Sequence, residues 1–426
     1  MYIRRDNSNL HFGHYRRHGV SRWLLGVWFV VMVIIATLLW RFNDVQGWAL
    51  SSIGAAPTPT LDAVTLARMG ERAYLQGDLE AAIGYYGEAA RLAPQDIDIK
   101  FEYGRMLIYR SYAGRTYQYR AGEALTVAQD AVDVAPDNAR AQALYCFALM
   151  ENGRAEEAIG SCLRATQLDP NYAEAHAYLA LAYYSAQRPN QAFDEADRAV
   201  RLNPNSLDAH RALALSLAYV GPFNAAIQQY EQAIQIHPRL DALYFELAQY
   251  YVALSNFDGA QAAFDQVLQM DPDNVKAYTR KCEAFFRDRK DTEAQVACEQ
   301  AVELDPTYPE AYRQLGMVQY TRRNYEGAIE SFETCTTLQD QQGIALADQE
   351  IQCYYIRGLA EALLDRCDRA WEDLQSAMAM NPEESIKNQI SQGLQMCVTN
   401  DEAFSMQQIP TAIPPTAVPP QPIPIY

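Results

Sequence analysis

Eight cysteines and six histidines are the residues of this chain that most readily support covalent or metal chemistry. His11, His14 and His18 are spaced for one face of a helix and could bind a metal ion. They lie in an arginine-rich stretch, and we interpret them as part of a basic tail. His176 and His210 are predicted to pack in a core. We therefore predict no metal site and no cofactor.

Catalytic motifs are also missing from the sequence. The 426 residues contain no glycine-rich phosphate loop, no His-Glu-x-x-His, no Gly-x-Ser-x-Gly and no Cys-x-x-Cys. Each of these motifs places a nucleophile, a metal or a phosphate in a defined geometry, so their absence leaves no set of residues for a reaction. We predict that the protein is not an enzyme.

One stretch, YRSYAGRTYQYR from Tyr109 to Arg120, combines four tyrosines and three arginines within an otherwise acidic chain. Arginine and tyrosine together suit anionic or stacked partners such as lipid headgroups, acidic polymers or an acidic protein patch. A lengthened, solvated turn between two helices is the alternative. The candidate residues are Arg110, Tyr112, Arg115, Tyr117, Tyr119 and Arg120.

Charge narrows the class of partner. The chain has 35 Lys and Arg against 53 Asp and Glu, a net charge of -18. Such a surface repels the phosphates of a nucleic acid, so we predict no nucleic-acid partner. Residues 1–41 are the exception, with six arginines and one acidic residue.

The basic N-terminal region flanks an apolar segment. Residues 23–40 run from Trp23 to Trp40 without a charge or a proline. A helix of that length spans about 27 Å, enough for the hydrocarbon core of a bilayer. The arginines before it predict that residues 1–22 form a cytoplasmic tail and that the later residues lie on the extracytoplasmic side of the inner membrane. A cleaved signal peptide is the alternative, although no small-x-small site closely follows the segment.

The elements beyond the membrane segment are revealed by prolines. Proline recurs every 34 residues from Pro136 to Pro306, and Pro94 and Pro382 fit the same series if two eight-residue insertions are allowed. A period of 34 residues indicates stacked copies of one supersecondary unit. Each copy holds two stretches with apolar residues at helical spacing, and the proline ends the second one.

These residues resemble the tetratricopeptide repeat. That family has small residues at repeat positions 8, 20 and 27, large residues at 11 and 24, and proline at 32. With Pro94 as position 32, nine units end at residues 96, 138, 172, 206, 240, 274, 308, 350 and 384. Position 20 is alanine in all nine: Ala82, Ala124, Ala158, Ala192, Ala226, Ala260, Ala294, Ala328 and Ala370. A small residue there lets the two helices of a hairpin approach closely. Asp340 replaces the proline of the eighth unit, so its end is less well defined.

The resemblance implies an all-α fold, a right-handed α-solenoid superhelix of about nine hairpins. We expect a flexible linker at 41–62, the solenoid at 63–384 and a capping helix at 385–404. Residues 405–426 hold seven prolines and are predicted to be a disordered, extended tail, with a docking segment as the alternative.

The repeat positions also suggest how the cysteines pair. Two pairs occupy positions 8 and 24 of one unit, and two more fit the contact between a second helix and the first helix that follows. We predict four disulfides, which require an oxidising compartment. They are Cys146–Cys162, Cys282–Cys298, Cys335–Cys353 and Cys367–Cys397. Free, buried cysteines acting as small apolar residues are the alternative.

By resemblance, first-helix positions 2, 5, 9, 12 and 13 line the concave face, and here many are apolar. We expect them to form a groove for an extended or helical peptide, unless they only seal contacts between units. The groove candidates are Phe101, Phe147, Leu181, Tyr184, Leu215, Phe245, Phe286, Tyr320 and Tyr355. No unit has Lys or Asn at positions 5 or 9, which family members use to bind a terminal carboxylate, so that mode is disfavoured.

Together these features predict a single-pass membrane protein that displays a scaffold or adaptor domain outside the membrane and recruits proteins of an envelope complex. A holdase-like chaperone or assembly factor for exported proteins is the alternative. A third role, in which the solenoid regulates or feeds a separate enzyme, stays open. The sequence leaves the oligomeric state open as well.

Overall fold

The computed structural model describes residues 61–114, 117–221 and 223–398, together with Val27 and residues 30–32. Among these described residues, no helix is both long and apolar enough to cross a bilayer.

Several predicted segments fall outside that range. They are the basic tail 1–22, all but four residues of the span 23–40, the linker as far as residue 60 and the proline-rich tail 405–426. The prediction of a capping helix at 385–404 can be compared with the structure only as far as residue 398.

From Ala63 onward the described chain is all-α, as the repeat pattern predicts, and consecutive helices pair as hairpins. The helices are α1 (Ala63–Leu75), α2 (Leu79–Leu92), α3 (Ile97–Ser111), α4 (Tyr119–Val134), α5 (Ala139–Glu151), α6 (Ala155–Leu168), α7 (Ala173–Ser185), α8 (Pro189–Leu202), α9 (Leu207–Val220), α10 (Phe223–Ile236), α11 (Asp241–Ala253), α12 (Phe257–Met270), α13 (Val275–Arg287), α14 (Asp291–Leu304), α15 (Pro309–Thr321), α16 (Tyr325–Gln341), α17 (Ile351–Leu363), α18 (Cys367–Ala379) and α19 (Glu384–Val398).

The alanine at repeat position 20 explains why the hairpins are tight. All nine of these alanines, from Ala82 to Ala370, have no exposed surface. A larger side chain there would separate the two helices, so this position fixes their close approach. Asp62, Asp96 and Asn138 help to start first helices, because their side chains accept hydrogen bonds from backbone N–H groups of the first turn.

The eighth hairpin departs from the regular pattern, as the missing proline suggests. Its second helix α16 has 17 residues, compared with 14 in α14, because Asp340 does not interrupt it. The chain then turns at Gly343, and a short 3₁₀ helix at Leu346–Asp348 leads to α17. The Gln349 side chain donates a hydrogen bond to Asp340 over 2.8 Å and so holds this insertion against the helix end.

The apolar core divides the solenoid into two parts. One continuous cluster of buried residues extends from Leu66 in α1 to Tyr250 in α11. Beyond it the core continues as smaller, separate clusters between neighbouring hairpins. The continuous cluster lies mainly in α1–α10 and ends in α11, so we call residues 63–240 (α1–α10) the body and residues 241–379 (α11–α18) the arm. Contacts between neighbouring hairpins build this core, as is usual for repeats.

The body also has a contact between hairpins that are far apart in sequence, the first and the fifth. His237, after α10, donates a 2.9 Å hydrogen bond from Nε2 to the carbonyl oxygen of Tyr74 in α1, and the centres of the two rings lie 4.2 Å apart. Gly77 in the first turn has a φ of +83° and abuts the backbone of Arg239 so closely that a Cβ would lie 2.8 Å from its carbonyl oxygen. The body therefore closes on itself.

Candidate functional site

The structure corrects the expectation that an apolar groove runs along the whole inner face. Of the nine predicted groove residues, only Tyr355 is half-buried. The other eight are buried: Phe101, Phe147, Leu181, Tyr184, Leu215, Phe245, Phe286 and Tyr320. They pack against neighbouring helices, with Phe147 and Tyr178 for example stacked at 4.3 Å. These eight side chains seal the solenoid and are not available to a partner.

Charged and phenolic groups fill the centre of the body. Asp208 of α9 accepts hydrogen bonds from the hydroxyls of Tyr109 and of Tyr178, the latter over 2.9 Å. The Arg105 guanidinium lies 3.4 Å from the same carboxylate. Burial, together with the charge of Asp208, raises the pKa of both tyrosines well above its ordinary value, so they act as neutral donors.

The Tyr/Arg-rich stretch contributes to this centre instead of forming a free surface. The Tyr112 hydroxyl donates to Glu151, and Arg211 donates to the same hydroxyl over 3.3 Å. Lys276 of the arm donates to the Tyr112 carbonyl oxygen over 2.6 Å. Burial raises the pKa of Glu151 to about 8 and lowers the pKa of Lys276 to about 8.

The arginines of the stretch are also engaged within the body. Arg110 and Arg120 both contact the Glu80 carboxylate, at 2.7 and 3.2 Å. The Arg110 guanidinium lies 3.7 Å from the centre of the Tyr117 ring. Tyr119 is exposed, and Arg115 lies outside the described residues. The expected ligand site is therefore largely a set of internal contacts, because Glu80, Glu151 and Asp208 neutralise or bond its side chains.

Sequence reasoning missed the charged residues that close the body, among them Asp208 and Arg211. Arg211 is 1% exposed and makes a forked pair with Glu246 of α11, with its closest nitrogen 2.6 Å from the carboxylate. Their repeat positions, 2 and 5, are positions that the resemblance assigns to the inner face. A charged residue at each of those positions is the sequence signal that marks these contacts.

The four predicted cysteine pairs are brought together at disulfide distance. The Cα–Cα separations are 5.2 Å for Cys146–Cys162, 5.3 Å for Cys282–Cys298, 6.3 Å for Cys335–Cys353 and 5.4 Å for Cys367–Cys397. The first two pairs join the helices of one hairpin. The third joins α16 to α17, and the fourth joins α18 to the terminal helix α19.

The histidines of the repeats have packing roles. His176 bonds Glu195 at 2.6 Å and the Pro170 carbonyl at 3.1 Å, while His210 bonds Gln229 at 2.8 Å and the Pro204 carbonyl at 2.9 Å. Within the described part of the chain, no three His, Cys, Asp or Glu side chains are grouped as metal ligands. His11, His14 and His18 lie outside that part.

On the inner face of the arm, the guanidiniums of Arg280, Arg287 and Arg313 surround the Glu283 carboxylate. Arg280 and Arg287 each donate to Glu283 over 2.9 Å. Burial acts to raise the pKa of Glu283, but Arg280, Arg287 and Arg313 outweigh it and lower the pKa to about 2. The Arg280 side chain is 40% exposed and that of Arg287 is 33% exposed, so both can be reached from solvent.

Arg313 completes this group, which we call the arm cluster (Arg280, Glu283, Arg287 and Arg313). Its Nε lies 3.6 Å from a Glu350 oxygen, too far for a hydrogen bond. Glu310 also helps to raise the pKa of Arg280, so the three guanidiniums share Glu283, Glu310 and Glu350. An incoming anionic group can contact the arm cluster where the Arg280 and Arg287 side chains are exposed.

Comparisons with known proteins agree with this architecture. Residues 148–187 match a family model described as TPR repeat, and residues 245–309 match one described as tetratricopeptide repeat. No curated protein matches the chain at a significant level.

Several solved structures are similar to the chain at low identity. A human IFIT1 dimer with PPP-AAAA is 17% identical, with 85% of this chain and 83% of that chain covered and a TM-score of 0.48. The Cut9–Hcn1 hetero-tetramer of APC/C is 14% identical, with 84% and 82% covered and a TM-score of 0.48. YrrB, a TPR protein with an unusual peptide-binding site, is 18% identical, with 46% and 97% covered and a TM-score of 0.34. At such identities the likeness extends to the fold and not to function. The two family matches identify tetratricopeptide repeats at residues 148–187 and 245–309, and the nine helical hairpins in the described part of the chain share their two-helix architecture.

Proposed function

We propose that this protein is a membrane-anchored scaffold on the extracytoplasmic side of the inner membrane, and that it recruits proteins of an envelope complex by binding them along the inner face of the arm. The observation that carries this proposal is the contrast between the two parts of the solenoid. The centre of the body, around Tyr109, Tyr178 and Asp208, is filled by its own side chains, whereas the inner face of the arm retains solvent-accessible arginines.

The groups on the arm indicate the chemistry of the partner. Arg280 and Arg287 are accessible. Two half-buried apolar or aromatic side chains lie on the same part of the arm, since Met317 packs against the core cluster that contains Phe286 and Tyr355 lies near Arg313. Guanidiniums bind carboxylates in a planar, forked geometry, and apolar neighbours strengthen such contacts by excluding water. A protein segment with acidic side chains suits this surface. The net charge of -18 over the whole chain also favours protein partners over nucleic acids.

Two independent features support the extracytoplasmic location. Residues 1–22 carry the basic flank that is retained on the cytoplasmic side of a membrane segment. The four cysteine pairs at disulfide distance fit an oxidising compartment, because cytoplasmic reductants keep thiols reduced.

Capture of partners by the full chain from membranes, in gentle detergent, tests the docking surface. We expect one stoichiometric partner. The triple variant Arg280→Gln, Arg287→Gln and Arg313→Gln should weaken its binding by at least about tenfold, because central arginines carry much of the energy of an interface. Arg287→Gln alone should weaken it less, and this variant keeps the contacts of Arg280 and Arg313.

The matched control replaces arginines outside the arm that also pair with exposed carboxylates. Arg154, Arg164 and Arg188 are 43%, 48% and 42% exposed, and each pairs with Glu or Asp. Their triple Gln variant should bind the partner as the wild type does. Equal binding by the arm variant would refute the docking surface. Many substoichiometric exported proteins, in place of one partner, would favour a holdase-like chaperone.

A further inference from the structure

A second concavity lies on the inner face of the body, between α1 and α3. It has a volume of about 430 Å³, within the range of cavities that bind ligands or side chains. Its apolar lining includes Val64, Leu75 and Ile99, and its charged lining includes Glu71 and Glu102. We call it the α1–α3 groove. It is distinct from the arm cluster and uses none of its residues.

Apolar side chains are exposed in this groove. Val64 is 54% exposed and Leu75 is 58% exposed. They are not needed by the core, because α1 already buries Leu66 and Tyr74 at 6% and 8% exposure. Apolar side chains that stay accessible inside a concavity are typical of interaction sites.

The charge around these apolar side chains is negative. The groove is lined by the carboxylates Glu71, Asp96, Asp98 and Glu102 and by the guanidiniums Arg68 and Arg105. Two of the carboxylates are already paired, since Glu102 lies 3.0 Å from Arg105 and Asp98 lies 2.8 Å from Arg140. Glu71 is exposed and forms no ion pair with any residue that the structure describes. Glu71 is therefore the carboxylate that an incoming cation can reach.

We propose that the α1–α3 groove binds a segment of a partner protein in which an apolar side chain stands next to a lysine or arginine. The apolar side chain packs against Val64 and Leu75, and the cation lies near Glu71. This chemistry is opposite in charge to that of the arm. The chain then carries two docking sites, one for a basic segment and one for an acidic segment, and can bridge two proteins.

The α1–α3 groove does not depend on the docking surface proposed for the arm. Short synthetic peptides and the purified full chain therefore test it separately. A peptide with lysine and leucine is the probe. A second peptide has glutamate in place of lysine, and a third has serine in place of leucine. We expect the lysine–leucine peptide to bind, and to bind more tightly at low ionic strength.

Variants assign the binding to the groove. Val64→Ser with Leu75→Ser should weaken it by about tenfold or more, because the apolar contact is lost. Val296→Ser with Leu163→Ser is the matched control, since these side chains are 63% and 39% exposed elsewhere, and it should bind normally. Glu71→Gln should weaken binding a few-fold and reduce its salt dependence. The arm triple variant should bind this peptide unchanged, so failure of one site is distinguishable from failure of the other.

Several results would overturn the proposal. One is normal binding by the Val64→Ser, Leu75→Ser variant, which would place the peptide elsewhere. Equal affinity for the glutamate–leucine peptide would show that charge plays no role in binding. Equal affinity for the lysine–serine peptide would show only non-specific attraction of a cation to an acidic surface. No measurable binding of the lysine–leucine peptide would also refute it.

Discussion

Buried ionisable side chains fill the centre of the body. Arg211 is 1% exposed and pairs with Glu246, and it donates to Tyr112, which in turn donates to Glu151. Buried charges are tolerated only when they are paired and hydrogen-bonded. The centre of the body is therefore occupied by its own side chains, and we expect partners to bind at other surfaces.

Glu151 gives this centre a defined pH dependence. Burial raises its pKa from 4.5 to about 8, so the folded state retains a proton between these values that the unfolded state releases. The folded state is therefore favoured at low pH, and its stability falls as pH rises from 4.5 to about 8. Glu151→Gln keeps an acceptor for the Tyr112 hydroxyl but cannot ionise. We expect its urea midpoint to fall less over this window.

The control for this titration is Glu303→Gln, at an exposed position on α14. It should keep the pH slope of the wild type. An unchanged slope in Glu151→Gln would show that this carboxyl does not titrate as described.

Lys276 has the opposite effect on the pH dependence of stability. Because burial lowers its pKa to about 8, the stability of the folded state rises with pH above that value.

At the scale of the element, the hairpin is the unit that the sequence encodes most directly. Pro136 to Pro306 recur every 34 residues, and alanine at position 20 is buried in all nine hairpins. Both signals are local, because a hairpin needs only a close contact between its two helices and an end to the second one. The all-α repeat fold could therefore be predicted from the sequence.

The Cys282–Cys298 pair crosses the seventh hairpin between two buried side chains. A disulfide across 16 residues stabilises a protein by about 3 kcal/mol in the chain-entropy model. We expect the double variant Cys282→Ser, Cys298→Ser to lose a large part of this free energy in urea unfolding without reductant. With reductant, the variant and the wild type should differ much less. An equal difference under both conditions would mean that the pair is not oxidised.

The closure of the body could not be predicted from the repeats. Asp208 lies 99 residues after Tyr109, and His237 lies 163 residues after Tyr74. The repeat pattern specifies contacts between neighbours, whereas these contacts depend on the rotation that accumulates over several hairpins. The same closure explains why the Tyr/Arg-rich stretch, despite its composition, does not form a free binding surface. Tyr109 and Tyr112 of the stretch donate hydrogen bonds to Asp208 and Glu151 inside the body.

For the whole solenoid, we infer that the body unfolds as one unit because its first and fifth hairpins are in contact. Gly77→Ala tests this contact. An alanine there is strained by the φ of +83° and also meets the Arg239 carbonyl oxygen at 2.8 Å. Gly153→Ala is the matched control, since its φ is +74° and a Cβ would meet no atom within 4 Å. Both variants share the backbone strain.

We expect Gly77→Ala to lose about 1 kcal/mol or more beyond the loss in Gly153→Ala, measured by urea unfolding. The extra loss reports contact between the two ends of the body and not the conformation of a turn. Equal losses in the two variants would show that Gly77 and Arg239 do not meet in solution.

Side chains of the body fill its centre at α7 and α9, and we propose that the captured partner docks on the arm. Hydrogen exchange of the full chain, alone and with that partner, compares these two surfaces. We expect α7 and α9 to be well protected without the partner and unchanged by it, and α13 and α15 to gain protection on binding. New protection confined to α7 and α9, with α13 and α15 unaffected, would refute docking on the arm.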